Sequence, residues 1–128
     1  MKKISIEKLL KEAKSSKYAK KCGMFLVHNG VVRESARAKV RNGANFNKKV
    51  KKMLLTYDSK KANDYIKKTK ELSGIYYVNV LINEGLLNLG DNIMYVVIGG
   101  DIRPHVVKAL NYLVSNIKKH CVDEKEIF

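Results

Sequence analysis

The fold turns on Ile82–Lys125, INEGLLNLGDNIMYVVIGGDIRPHVVKALNYLVSNIKKHCVDEK. Within it, Met94–Ile98 (MYVVI) is an unbroken apolar run rich in β-branched residues. That composition suits a strand covered on both faces, although so short a run also fits a buried helix. Gly85 and the Gly90-Asp91 pair punctuate the approach, and Gly99-Gly100 ends the run, as glycines do at turns. Asp101 then reads as an N-cap, with Pro104 in the first helical turn, where a missing N–H costs nothing. Behind it Val106, Val107, Leu110, Leu113, Val114 and Ile117 recur at helical spacing and make one apolar stripe. The polar ends of this unit carry Arg103 at the start and Lys118, Lys119 and Lys125 at the finish. A strand and a helix that bring cations to the rim of a core form a scaffold for a site.

Upstream, Ser5 opens a helix with Ile6, Leu9, Leu10 and Ala13 on one face and lysines on the other, fading near Ser15-Ser16. Such a basic amphipathic helix suits either a membrane surface or the chain's own core, and its short apolar stripe favours the core. Cys22–Arg33 (CGMFLVHNGVVR) has a strand core at Met24–Val27 that resumes at Val31-Val32. The intervening Asn29-Gly30 marks a hairpin turn or a bulge in one continuous strand; the bulge is the reading adopted. Ser35–Lys52 (SARAKVRNGANFNKKVKK) has no clean period and reads as a mobile basic loop. Met53–Tyr57 is a short strand, and Asp58 or Ser59 caps a helix to about Leu72. Its inner face holds Ala62, Tyr65, Ile66 and Thr69, and Gly74 stops it. Ile75–Ile82 has the strongest strand composition in the chain. The order helix, strand, strand, helix, strand, strand, helix predicts one α+β domain over residues 1–128, a mixed or antiparallel sheet flanked by helices.

A chain of 128 residues is long enough for one real core. No run approaches 18 consecutive apolar residues, and the N-terminal lysines precede no apolar signal segment, so a cytoplasmic protein is expected. Cys22 and Cys121 do not make a disulfide framework; free thiols are the simplest reading, and their pairing stays open. The formal charge is +14, and it is unevenly placed. Residues 1–70 hold 21 Lys/Arg against 5 Asp/Glu, whereas residues 71–128 hold 5 against 7. Either an anionic partner (nucleic acid, acidic protein, phosphorylated small molecule) or a merely solvated lysine-rich surface would explain this. Tyr18, Phe25, Phe46 and Tyr57 lie among the cations, where they could stack on bases, yet they are scattered and no nucleic-acid-binding motif accompanies them. His28, His105 and His120 lack metal-ligand spacing with each other or with the cysteines, so no metal is expected. Gly99-Gly100 lacks both dinucleotide and Walker patterns and reads as an ordinary strand-to-helix turn.

Taken in order, the joints of these elements resemble the large, catalytic subunit of molybdopterin synthase. The ISIEKLLKEAK helix leads into CGMFLVHNGVVRE, similar to that family's Gly-x-Val-Arg strand end, here Gly30, Val31, Val32 and Arg33. A basic loop follows, then LLTYD, similar to a Leu-x-Tyr-Glu strand. EGLLNLGDNIMYVVIGG resembles the Gly-x-Leu-x-x-Gly-Asp turn with its hydrophobic strand, and IRPHVVKALNYLVSNIKK the His-Arg motif and closing helix. The resemblance covers nearly the whole chain, each motif being short.

The resemblance implies an α/β-hammerhead type of fold and a reaction without metal or cofactor. Sulfur would pass from a thiocarboxylate on the C-terminal Gly-Gly tail of a small ubiquitin-like subunit to cyclic pyranopterin monophosphate, forming the dithiolene of molybdopterin. It also implies a homodimer within a heterotetramer, with one small subunit on each protomer. On matching positions, Lys118 and Lys125 would be the catalytic lysines, and Arg33 and Arg103 anion-binding arginines beside Lys119. Two helical turns would separate Lys118 from Lys125 if the helix continued. The chain departs from the family pattern at Ile102, where a histidine is usual, and at Ile82-Asn83, in place of a second His-Arg pair. Val122, Asp123 and Glu124 replace a Pro-x-Trp, and the sequence ends at Phe128 where the family carries a longer tail. A non-catalytic relative that binds the small subunit, and a basic nucleic-acid-binding protein, are the alternative expectations.

Overall fold

The computed structural model describes residues 4–37 and 48–128. The chain runs α1 (Ile6–Lys14), a short 3-10 turn, β1 (Met24–Val31), β2 (Lys52–Tyr57), α2 (Ser59–Lys70), β3 (Ile75–Ile82), β4 (Gly85–Asn88), β5 (Asn92–Gly100), α3 (Arg103–Asn116), a π turn (Ile117–Cys121) and β6 (Val122–Ile127). The strands form two three-stranded sheets, ordered β1-β5-β3 and β4-β2-β6. Every strand pairing among the described residues is antiparallel. The single sheet expected from sequence is therefore two, because β4 and β6 add a second one around β2.

Strand β5 is the centre, and Ile93–Gly100 are all buried. Its two faces meet different layers, since successive side chains point to opposite sides. Tyr95 and Val97 pack with Leu9 and Ala13 of α1. Met94, Val96 and Ile98 pack with Val106, Ala109, Leu113 and Ile117 from the α3 side and with Met53 and Leu55 of the second sheet. Covered on both faces, the strand has no reason to alternate polar and apolar residues, which is why MYVVI is continuous. The α3 stripe is rotated from its expected course: Ala109 is fully buried, whereas Val107 is 39% exposed. Among the described residues no helix is long and apolar enough to cross a membrane.

Local chemistry sets the element ends. Ser5 caps α1 by accepting the Lys8 N–H at 3.1 Å, and Asp58 caps α2 by accepting that of Lys61 at 3.2 Å. Asp58→Ala is expected to cost about 1 kcal/mol in urea unfolding. An unchanged midpoint would show that the cap is idle. Asp101 is not the cap expected for α3. That position belongs to Ile102, whose side chain makes no capping bond. The Asp101 carboxylate instead accepts the Ile102 N–H at 2.6 Å and binds His105 Nδ1 at 2.8 Å. Gly99 and Gly100 are not a strand-to-helix turn either; β5 runs through both. A Cβ on Gly100 would lie 2.6 Å from the Gly74 carbonyl oxygen, so close backbone approach demands glycine there.

Asn29-Gly30 does not turn the chain. β1 continues to Val31 with a register shift between Gly30 and Val31, which is a bulge in one strand. Of the basic stretch 35–52, residues 38–47 lie outside the described residues. Its ends meet: Ser35 pairs with Lys49, and the Val50 N–H donates to the Glu34 carbonyl at 2.8 Å. Cys22 and Cys121 are both free thiols.

Candidate active site

The end of α3 does not continue as a helix. It widens into the five-residue π turn Ile117–Cys121, after which the chain becomes strand β6. Ile117 and Cys121 are buried and anchor the turn, while Lys118, Lys119 and His120 between them are exposed. Such π segments are rare and recur at functional sites because they re-aim side chains at a helix end. Here the side chain presented is Lys118. It lines a pocket of about 180 Å³ with Arg33, Arg37, His28, Glu124 and Glu126. An adjoining, more open depression of about 530 Å³ is lined by Lys118, Lys119 and Arg37.

Each neighbour arrives from a different element. Arg33 follows Val32, which is 3% exposed and fixes the strand end; the Arg33 Nε donates to the Ser35 carbonyl at 3.1 Å. Arg37 is held by β6. Its guanidinium meets Glu124 at 2.7 Å, and its backbone N–H lies 3.1 and 3.2 Å from the Glu126 carboxylate oxygens. His28 lies on β1 in the same phase as Met24 and Leu26, which pack on the larger core, so its ring points to the α3 side of the sheet. Its Nε2 is buried and has no hydrogen-bond partner among the described residues. Burial, and then the charge of Lys118, push the His28 pKa below the ordinary imidazole value of 6.5. The ring is therefore neutral at physiological pH.

The pocket collects three cations against two carboxylates. Arg37 is matched by Glu124, whereas among the described residues neither Arg33 nor Lys118 has a carboxylate within ion-pair distance. A small anion entering this space meets two cationic donors whose charge is not already neutralised.

Of the residues singled out from sequence, Lys118 and Arg33 come together here, and Lys119 lines the adjoining depression. Lys125 does not join Lys118. The helix stops at the π turn, and on β6 Lys125 pairs with the exposed Leu54, while Glu124 and Glu126 pair with the buried Leu55 and Met53. Paired residues share a face, so Lys125 points to the outer side of the second sheet. Arg103 opens α3 at the opposite end from Lys118, roughly 22 Å away at 1.5 Å per residue. The sequence reading missed Arg37, Glu124 and Glu126, and weighed His28 only as a metal ligand. A signal existed for His28 in its polar ring at a core-phase position of β1. None existed for the glutamates, whose placement depends on a strand the sequence does not announce.

The other readings find no shared place. His105 binds Asp101, and His120 stacks on Tyr65 at 5.7 Å between ring centroids, so the three histidines stand apart. Among the described residues no three His, Cys, Asp or Glu side chains converge as metal ligands. Tyr18 lies near Tyr76 and Phe25 near Tyr77, as two separate ring pairs, and Phe46 is outside the described residues. Burial first, then neighbouring acidic charge, raises the thiol pKa of Cys22, through Asp101, and of Cys121, through Asp58. Both are protonated and poorly nucleophilic.

An α+β chain that spends an unusual helix end on placing a lysine at a pocket with two arginines has the geometry to receive a small anion. The family model of the MoaE protein matches residues 1–120. Among solved structures, molybdopterin synthase from Staphylococcus aureus superposes with a TM-score of 0.75 at 19% identity, covering 100% of this chain and 88% of that one. The molybdopterin biosynthesis MoaE protein from Burkholderia ambifaria gives 0.74 at 15% identity, covering 98% and 81%. A complex of subunits 1 and 2 of the molybdopterin-converting factor from Helicobacter pylori gives 0.68 at 16%, covering 96% and 78%. No curated protein matches the chain. The chain belongs to the MoaE protein family, the large, catalytic subunits of molybdopterin synthase, and its function is molybdenum cofactor biosynthesis.

Proposed function

We propose that the pocket beneath Lys118 is where sulfur passes from the C-terminal thiocarboxylate of a small ubiquitin-like subunit to cyclic pyranopterin monophosphate. The observation that carries this is the convergence of Lys118 and Arg33, cations without ion-pair partners among the described residues, on one pocket in a chain of this family. Pocket size supports a division of labour. About 180 Å³ is well below the volume of a drug-sized ligand site, so it suits a slim Gly-Gly tail and its charged end. The depression of about 530 Å³ beside it suits the pterin phosphate, with Lys119 and Arg37 on its rim. Lys118 lines both spaces, where it can hold an anion on either side of the forming carbon–sulfur bond. The raised thiol pKa of both cysteines agrees with sulfur arriving from outside the chain rather than through one of its own thiols.

The small-subunit partner is supported by the Helicobacter pylori complex of two subunits. A homodimer within a heterotetramer, working in the cytoplasm, completes the reading. Lys125 and Arg103 do not line this pocket and take no part in this step.

Binding of the partner tail gives the direct test. Arg33→Ala is expected to weaken the small subunit by about tenfold, roughly 1.4 kcal/mol, in calorimetric titration. Removing the Gly-Gly tail from the partner should weaken wild type similarly and leave the variant unaffected. Equal affinities for all four combinations would place the tail outside this pocket.

A further inference from the structure

The pocket holds one group that anion binding leaves unexplained. His28 Nε2 is buried among charged neighbours, without a hydrogen-bond partner among the described residues. A buried polar atom left unsatisfied costs stability, and at a pocket wall that cost marks a group awaiting a ligand or a proton. The charged groups around it come from three elements: Lys118 from the π turn, Arg33 and Arg37 from the segment after β1, and Glu124 and Glu126 from β6. Both glutamates are already occupied by Arg37, one by its guanidinium and one by its amide. Lys118 and Arg33 are committed to anions. Among the described residues His28 is thus the lining side chain left to accept a proton.

Sulfur transfer needs such an acceptor. When a thiocarboxylate sulfur adds to a carbonyl-level carbon of the substrate, the C=O π bond opens and its oxygen takes up a proton, and the product is a thioester joining the small subunit's tail to the pterin. Release requires water to add to the acyl carbon and the acyl–sulfur bond to break. The sulfur leaves with the bonding pair as a thiolate, and the tail leaves as a carboxylic acid that ionises. We propose that His28 is the general base of this hydrolysis, its Nε2 taking the proton from the attacking water. The inference rests on the sulfur-transfer reading above. In the tautomer protonated at Nδ1, the neutral ring offers a lone pair at Nε2. Burial, and then the charge of Lys118, keep the ring neutral in the free pocket, and the lysine cation can stabilise the departing thiolate. One charged and one neutral group side by side divide acid and base roles between them.

The test is single-turnover product formation against pH, with a thiocarboxylated small subunit and cyclic pyranopterin monophosphate, for wild type, His28→Gln and His28→Leu. Wild type should lose rate on an acid limb below about pH 6.5, as the imidazole protonates. Glutamine fills the space without accepting a proton; its rate should fall about 10²-fold, lose the limb, and leave a small subunit–pterin adduct detectable by mass spectrometry. Leucine should show the same loss of rate with a Tm equal to or above that of wild type, because an unsatisfied nitrogen has gone. Glutamine activity near that of wild type with the limb intact overturns the assignment to His28 alone. So does a loss of rate that follows a loss of Tm in both variants, which would mark a packing role. No product from wild type overturns the sulfur-transfer reading and this inference with it.

Discussion

Lys118→Ala is expected to lower molybdopterin formation by about 10²–10³-fold, the range seen when one preorganised donor to a developing anion is removed. The Tm should hardly move, since Lys118 is exposed and makes no ion pair among the described residues. Two of its neighbours cannot replace it. Arg37 is tied to Glu124 at 2.7 Å, and Lys119 lines the open depression but not the pocket. Lys118→Arg should restore part of the rate by keeping the charge, and less than all of it, because a planar guanidinium does not substitute for a compact ammonium. A Lys118→Ala enzyme with near-normal turnover would remove the lysine from the reaction.

The second large effect concerns the fold that carries the lysine. Leu113 is fully buried on α3, one turn before Ile117 anchors the π turn. Leu113→Ala removes three carbons from a core shared by α3, β5 and the second sheet. The expected loss is about 3–5 kcal/mol, a large part of the roughly 5–15 kcal/mol available to a domain. The Tm should drop by roughly 10–20 °C. Urea titration giving a loss under about 1 kcal/mol would mean that the surrounding layers collapse to fill the gap. His28 adds a smaller, pH-dependent term. Its pKa is lowered in the fold, so the unfolded chain binds the extra proton first, and the stability present above about pH 6.5 is lost as pH falls below it. His28→Leu should remove that part of the slope.

What the sequence made legible follows from how local each signal is. MYVVI announced a doubly covered strand because burial on both faces removes alternation, and α1 and α2 announced themselves through a capping side chain and an apolar face. Strand β6 announced nothing. VDEKEI has the charged composition that strands avoid, and its inward positions are Val122, Glu124 and Glu126. The glutamates turn inward because Arg37, nearly 90 positions earlier in the chain, supplies their partner. That pairing is tertiary, so no local window contains it. The position of Lys125 has the same root. Read as helix, it falls beside Lys118; paired with β2, it turns to the other face. Nothing in IKKHC distinguishes a π turn from ordinary helix, and that one change of winding decides where Lys118 points. Lys118 and Arg33 stand out through the family's motifs, whereas spacing alone leaves them as surface cations.

In the proposed reaction, sulfur on the partner's tail becomes sulfur in the product at the Lys118 pocket. Its most direct measurement is a single turnover with a small subunit labelled by heavy sulfur at the thiocarboxylate, following the label into molybdopterin by mass spectrometry. Wild type is expected to give labelled dithiolene, with both sulfurs drawn from the partner, and Lys118→Ala almost none even when saturated with partner. Bound partner with no labelled product from the wild-type chain would contradict it.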